Sequence, residues 1–403
     1  MIALARVAKA VCLQIKQVVA IGASVCGLIG AMSGQRAQAS FTFTKIADAS
    51  TTDPSGGTFG SLGDPSLSGS NVAFLGFNST GAKIGVYISK SGTVSKIADT
   101  KTTDPSGHSF TDFGAVSVSG STVGFVGMYN NGSYVYTTQG YYTGTGGALI
   151  KMADINTTVP NTTKKFNDFS GNVAGSLFVF AGNTSLGTNI YGIQNGVLGV
   201  QVDTTTNDPS GGKFTTLYDV MSNTNNDILF NGYSSSTQIQ GLYKKSGNAI
   251  STIVDTTMAD PSGGTFGPLG APIFAGSNVL FYSYNPTTGV KGLYEKTASG
   301  FVKIADTNTV RPHVGGTFGF VYDYSGSSNG LVFVGTDNTE SSPGIYTTLT
   351  GALTSVIETG DTLGGKTVSD LTMSPTAMDG STFAFHVTFT DNTEAIYTAQ
   401  YQP

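Results

Sequence analysis

Lys45-Ile46-Ala47-Asp48 recurs as Lys96-Ile97-Ala98-Asp99, Lys151-Met152-Ala153-Asp154 and Lys303-Ile304-Ala305-Asp306. Weaker copies end at Asp203 and Asp255, and the last reads Val356-Ile357-Glu358. The period is about 52 residues, the length of one supersecondary unit that cannot bury its apolar face alone and must stack on copies of itself.

Working outward from this landmark, each unit opens on dense turn chemistry. In Asp53-Pro54-Ser55-Gly56-Gly57 the proline presets φ and the glycines permit positive φ. Thr58-Phe59-Gly60 follows, and its ring returns as Phe110, Phe166, Phe214, Phe266 and Phe318. Short apolar runs then predict four antiparallel strands, near 65–68, 71–77, 84–88 and 94–98, separated by Gly-containing turns at Gly69-Ser70, Ser79 to Gly81 and Ser91-Gly92. The second strand carries Phe74, Phe125, Phe180, Phe230, Phe281, Phe333 and Phe385. The third carries Tyr87, Tyr136, Tyr191, Tyr243, Tyr294, Tyr346 and Tyr397. Rings at a fixed strand position are expected to pack between neighbouring sheets, each contributing on the order of 2–3 kcal/mol.

The ends of the chain decide between an open stack and a ring. The last copy supplies strands near 371–378, 382–389 and 395–399 and then stops, one strand short. The first strand after the N-terminal segment, 41–47, is an orphan of the fourth-strand type. Pairing the orphan with the last three strands closes a circle and removes exposed sheet edges, which an open solenoid would not gain from. The expected fold is all-β: a seven-bladed β-propeller of four-stranded antiparallel blades over residues 40–403. Its closing blade is shared between the N-terminal strand and the three C-terminal strands.

Residues 1–39 read as a signal peptide. Arg6, Lys9 and Lys16 form a basic start, 18–32 is apolar, and Ala37-Gln38-Ala39 has the small-x-small form of a cleavage site before Ser40. An apolar stretch of about fifteen residues falls short of the ~20 of a membrane span; an uncleaved anchor is the alternative. The expectation is therefore a secreted or cell-surface protein with no membrane span in the mature chain. Both cysteines, Cys12 and Cys26, lie in this segment, so the remainder has neither disulfide nor thiol chemistry. Removing it leaves 16 basic against 25 acidic residues, a balance that disfavours nucleic acid. The acidic residues are 21 Asp and only 4 Glu, a turn-forming rather than helix-forming choice.

Candidate chemistry concentrates between the units. Asp48/Asp53, Asp99/Asp104, Asp203/Asp208 and Asp255/Asp260 share a D-x4-D spacing where a fourth strand leads to the next first strand. Propeller crossings of this kind share a face with the second-to-third strand turns, so Asp53, Asp104, Asp208 and Asp260 would ring one mouth. Two readings stand: carboxylates that accept backbone N–H groups of their own turns, or oxygen ligands for a glycan, a protein or Ca²⁺. No cofactor is expected unless it is Ca²⁺. Val159 and Arg311 break the pattern in copies three and six, and Arg311 is the only arginine after residue 39. A bidentate anion contact is one role for it; drift in a solvated turn is the other. Tyr141-Tyr142, in an insertion between Val135 and Ala148, is expected to be exposed and so a candidate contact. His108, His313 and His386 fall in three different units, and no Walker or His-Glu-x-x-His pattern occurs.

The combination of turn-Gly-Gly-Thr-Phe, Ser-Gly-Ser-Asn-Val-Ala-Phe, Gly-Val-Tyr and Lys-Ile-Ala-Asp resembles tandem propeller-type repeats in exported bacterial proteins of unknown function. The likeness covers nearly all of 41–403, and it implies a fold and an exported setting but no functional residues. Such proteins often carry sorting tails; this sequence ends at Tyr401-Gln402-Pro403 without one, which weighs against permanent anchoring. The expected function is a non-enzymatic binding or structural module with an extracellular partner, a glycan or a protein. The alternatives are a propeller hydrolase or lyase acting on polysaccharide through paired carboxylates, and a Ca²⁺-stabilised adhesin.

Overall fold

The recurring Lys-x-Ala-Asp landmark has a structural cause in the fourth strand of each blade. Tyr87 faces Lys96 while Val86 faces Ala98, so Ile97 is an extra, bulged residue. The same shift occurs at Met152, Ile253, Ile304 and Val356. In a regular strand residues i and i+3 point to opposite faces; a bulge brings them to one side. Lys96 Nζ accordingly reaches Asp99 Oδ2 at 2.9 Å, and Lys151–Asp154 and Lys303–Asp306 repeat the pair at 2.9 Å.

The computed structural model describes residues 40–78, 84–129, 138–174, 177–184 and 187–403. The expected signal segment 1–39, the turn at 79–81 and Tyr136 lie outside them. The described residues form strands and turns without a helix, and none of them offers a helix long and apolar enough to cross a membrane. Seven antiparallel sheets follow one another in sequence order as the blades of a ring, numbered 1 to 7 from the sheet that holds Phe74. Six are built from consecutive strands. In blade 7 the N-terminal strand Ser40–Asp48 lies beside Glu394–Gln402, which pairs in turn with Thr382–Phe389 and then Lys366–Thr372. Phe43 meets Phe385 edge-on at 6.2 Å across this closure. The innermost strand is broken in two places where one continuous piece was expected. Blade 1 uses Phe59–Leu62 and Ser66–Ser68, and blade 7 uses Lys366–Thr372 and Met378–Asp379.

The core lies between blades and repeats with them. The second-strand Phe stacks on the third-strand Tyr, and the loop Phe packs edge-on against that Tyr. In blade 1 the centroids are 5.8 Å (Phe74–Tyr87) and 4.9 Å (Phe59–Tyr87). In blade 6 they are 5.6 Å (Phe333–Tyr346) and 4.9 Å (Phe318–Tyr346). Edge-to-face geometry suits the ring quadrupoles and adds about 0.5–1.5 kcal/mol per pair beyond burial. A glycine makes room for the loop ring: a Cβ on Gly76 or Gly335 would fall 2.6 Å from Phe59 or Phe318. Blade 7 lacks the loop Phe and has Val387 at that glycine's position, so pocket and occupant vanish together.

Candidate functional site

The inter-blade loops are tight hairpins closed by a backbone bond across the turn. Asp53 N donates to Gly57 O (3.0 Å), Asp208 N to Gly212 O (3.1 Å) and Asp260 N to Gly264 O (3.1 Å). The carboxylate then caps its own turn: Oδ1 of Asp53, Asp104, Asp208 and Asp260 accepts the amide of Ser55, Ser106, Ser210 and Ser262 at 2.7–2.9 Å. All four carboxylates are buried. Oδ2 points inward to the third-strand tyrosine, accepting from Tyr142 Oη at 3.0 Å in Asp104 and from Tyr294 Oη at 3.2 Å in Asp260. In blade 4 Asp208 Oδ2 and Tyr243 Oη are buried and neither makes a hydrogen bond, and Asp53 Oδ2 is buried likewise. The first carboxylate serves a lysine in Asp48 and Asp99, whereas Asp203 and Asp255 accept from threonines of their own turns. Burial raises the Asp99 carboxyl, but hydrogen bonds from Lys96, Thr102 and Ser55 and the Lys96 charge outweigh it, leaving a pKa of about 2. Asp48 is held at about 2 by Lys45 and Ser50 in the same way. Among the described residues no three His, Cys, Asp or Glu side chains converge on a point fit for a metal.

Tyr141 and Tyr142 are not exposed, contrary to the sequence expectation. Both are fully buried. Tyr142 pairs with Phe125 as Tyr87 pairs with Phe74, so it is the third-strand tyrosine of blade 2 in place of Tyr136. Tyr141, on the opposite face of the strand, stacks on Phe178 of blade 3 at 4.0 Å. The residues between Val135 and Ala148 are therefore strand rather than decoration at these two positions, and apolar burial explains both rings.

The two breaks in the acidic pattern are compensated in different ways. Where blade 3 has Val159, the tyrosine turns to its own strand and Tyr191 Oη accepts from Asn189 Nδ2 at 3.2 Å. Blade 6 keeps the frame and changes the charges. Arg311 N donates to Gly316 O at 2.8 Å, as Asp does elsewhere, but its side chain carries a cation inward to a site with 5% exposure. Arg311 Nε donates to Tyr346 Oη at 3.1 Å and Nη2 to Ser342 O at 3.0 Å. Tyr346 Oη in turn donates to Glu358 Oε1 at 2.6 Å. His313, at the position of Ser55 and Ser262, sits at φ 73° with Nδ1 2.8 Å from Glu358 Oε2. That hydrogen bond and charge raise the His313 pKa.

Arg311 is incompletely paired. Its Nη1 lies 3.9 Å from Asp337 Oδ2, beyond hydrogen-bond reach. Asp337 is held back because its Oδ1 accepts from Thr339 N at 2.9 Å and from Thr339 Oγ1 at 2.7 Å. These hydrogen bonds keep its pKa low, with the Arg311 charge assisting. Nη1 faces a cavity of about 600 Å³ lined by the Val314–Thr317 turn, Asp337, Asn338, Ser342, Glu358 and Thr359. Asp337 stands four residues after the second-strand Phe333, where blade 5 has Asn285 donating to Asp260 at 2.9 Å. Blade 2 has Tyr129 there, stacked on His108 at 4.3 Å. Comparing this position between copies, loop partner against loop partner, is the signal in the sequence that points to Asp337.

A second cavity, of about 460 Å³, is lined from blades 1, 2, 4, 5 and 7 and so lies on the ring axis. Asp64 and Asp219 reach it beside apolar Val116, Val220 and Ile273. Asn231 links Asp219 (3.2 Å) to Gln240, which also donates to Tyr218 Oη at 2.6 Å. Near Asp64, Thr372 donates to its Oδ1, and His386 bridges Thr372 (3.4 Å) and Glu394 (3.3 Å). Burial, then the charges of Asp64 and Asp370, push Asp323 up to about 6. None of these axial residues stands out in sequence, because the bulged first strand has no simple alternation.

No protein-family model matches the sequence, and no curated protein matches it. Among solved structures the chain is similar to the β-propeller domain of the Trilobed protease from Pyrococcus furiosus, at 13% identity and a TM-score of 0.47, over 71% of this chain and 78% of that one. It is similar to the acylaminoacyl peptidase of Pyrococcus horikoshii at 11% identity and a TM-score of 0.48, over 81% of this chain and 50% of that one. For a prolyl endopeptidase the values are 10%, 0.48, 85% and 48%. The chain spans about half the length of these last two proteins. The ring assignment rests on the strand order of the chain itself.

Proposed function

We propose that this chain is an exported, non-enzymatic β-propeller that acts as a binding module at the cell surface or outside the cell, with the cavity beside Arg311 as its ligand seat. The carrying observation is the Arg311 guanidinium, buried on one side by Tyr346 and Ser342 and leaving Nη1 open to a cavity of about 600 Å³. A surface of near-identical packing units offers few distinctive groups, so a charge-reworked loop beside a cavity is the natural place for specificity. The basic, then apolar, then Ala37-Gln38-Ala39 opening supports export. In this reading the acidic loops are turns and lysine partners. Chelator and added Ca²⁺ leave Tm unchanged, and a Ca²⁺-dependent rise in Tm would favour the adhesin instead. Expressed in a bacterial host, the protein is recovered outside the cytoplasm with Ser40 as its first residue, and it leaves a panel of polysaccharides intact. Retention of residues 1–39 or turnover of a panel member would overturn this reading.

One observation favours the second reading, a hydrolase or lyase. Burial, then the charges of Asp64 and Asp370, push Asp323 up to about 6, which makes it the candidate acid among three carboxyl groups of the kind that glycoside cleavage employs. On that reading, polysaccharide turnover disappears in Asp323→Asn, and a turnover-free wild type removes it.

A further inference from the structure

We propose that the Arg311 cavity binds a neutral saccharide, a deduction that rests on the reading of this cavity as the ligand seat. The argument starts from charge. One guanidinium, Arg311, stands against two carboxylates, Asp337 and Glu358, in a chain that is acidic as a whole. Even with His313 protonated against Glu358 the charges only balance, so an anion entering the cavity meets no net attraction. A cation fares no better. Both Glu358 oxygens are taken by Tyr346 and His313, Asp337 Oδ1 is taken by Thr339, and the buried guanidinium repels positive charge at close range.

What remains open is a mixture of donors and acceptors. Arg311 Nη1 donates, Asp337 Oδ2 accepts, and the Asn338 amide and Ser342 hydroxyl do both, with no side-chain partner for either among the described residues. A hydroxyl is at once donor and acceptor. Adjacent sugar hydroxyls can therefore answer a guanidinium and a carboxylate standing 3.9 Å apart, donating to Asp337 and accepting from Arg311. Val314, 52% exposed on the wall, offers an apolar surface to the C–H face of a sugar ring. The volume, about 600 Å³, falls within the ~300–1,000 Å³ of small-molecule sites.

Blade 5 supplies the control. The double variant Arg311→Asp/Asp337→Asn gives blade 6 the Asp260–Asn285 pair of its neighbour, which keeps the turn and removes the open donor and acceptor. Asn338→Ala removes an exposed amide that makes no side-chain hydrogen bond among the described residues. The probes are maltopentaose, cellopentaose, xylopentaose and mannopentaose, with galacturonate and inorganic phosphate as anions, titrated against the full protein by calorimetry and ligand-observed NMR. The expected result is binding of at least one neutral oligosaccharide, weakened tenfold or more in the double variant at unchanged circular dichroism, and weakened severalfold in Asn338→Ala. Preferential binding of galacturonate or phosphate that is lost in the double variant would overturn the ligand class and leave the seat standing. Saccharide binding indifferent to both variants would overturn the site, and no binding by any probe would overturn the inference. The wider module reading fails on other evidence, namely an unprocessed N-terminus or polysaccharide turnover.

Discussion

Blades 5 and 6 share one backbone frame and distribute their charges in opposite ways. In blade 5 the cation is Lys303, on the partly exposed fourth strand, and it neutralises Asp306 at 2.9 Å; the loop contributes Asp260, held by Asn285 and Tyr294. In blade 6 Ser355 occupies the lysine position, and the cation has moved into the loop as Arg311, buried against Tyr346. Asp306 becomes Glu358, Ser262 becomes His313 and Asn285 becomes Asp337, so each blade keeps one strong cation against two carboxylates. The comparison teaches that these two blades share a charge balance and a set of contacts rather than residue identities. Burying a guanidinium is costly unless all its donors are met; leaving one side open to a cavity is the observation that structural maintenance does not explain.

The comparison breaks most sharply at Arg311 itself. Arg311→Asp alone places a third carboxylate beside Asp337 and Glu358 and removes two hydrogen bonds, and a loss of about 3–5 kcal/mol is expected in urea unfolding. Adding Asp337→Asn should recover more than half of it, a coupling that two independent sites would not show. Next in size is the ring slot. Gly335→Ala drives a Cβ to 2.6 Å from Phe318 and should cost about 1–3 kcal/mol. In blade 5 the same position is Ser283, whose buried hydroxyl lacks a partner, so Ser283→Ala should be neutral or slightly stabilising in the same assay.

The pH dependence separates the blades further. Burial raises Asp306, but Thr309 and Lys303 outweigh it and hold its pKa below the usual value. A depressed carboxyl stabilises the fold above its unfolded pKa of 3.8 and loses that contribution as pH falls through its folded value. Lys303→Ser, the blade 6 arrangement, should therefore cost up to about 1 kcal/mol near neutrality, a difference that closes as pH falls below about 4. The smallest effect belongs to His313, which is 66% exposed and whose pKa is raised by Glu358. Its contribution is fully present below the unfolded pKa of 6.5 and fades as pH rises through the folded value. Solvent screening limits it to a few tenths of a kcal/mol, read as a convergence of wild type and His313→Gln above neutral pH.

Much of the frame was legible because it rests on local, repeated chemistry. The seven second-strand phenylalanines and the orphan strand at 41–47 announce the ring, and Asp53-Pro54-Ser55-Gly56 announces its turn. Tyr141-Tyr142 misled because a pair of tyrosines in an apparent insertion carries no mark of which blade they pack against. The Arg311 seat was half legible. Arg311 broke the pattern visibly, but Asp337 and Glu358 reach it from 26 and 47 residues away along the chain, across turns whose geometry no local pattern reports.

The sequence by itself determined the number of blades, the strand order within each and the turn chemistry between them, since these follow from periodicity and from residues that act on their own backbone. Only the tertiary structure decided where the side chains of the breaks meet. Whether an arginine in a turn is solvated drift or the wall of a cavity depends on which distant groups meet its donors: Tyr346 and Ser342 take Nε and Nη2, and the held-back Asp337 stops short of Nη1.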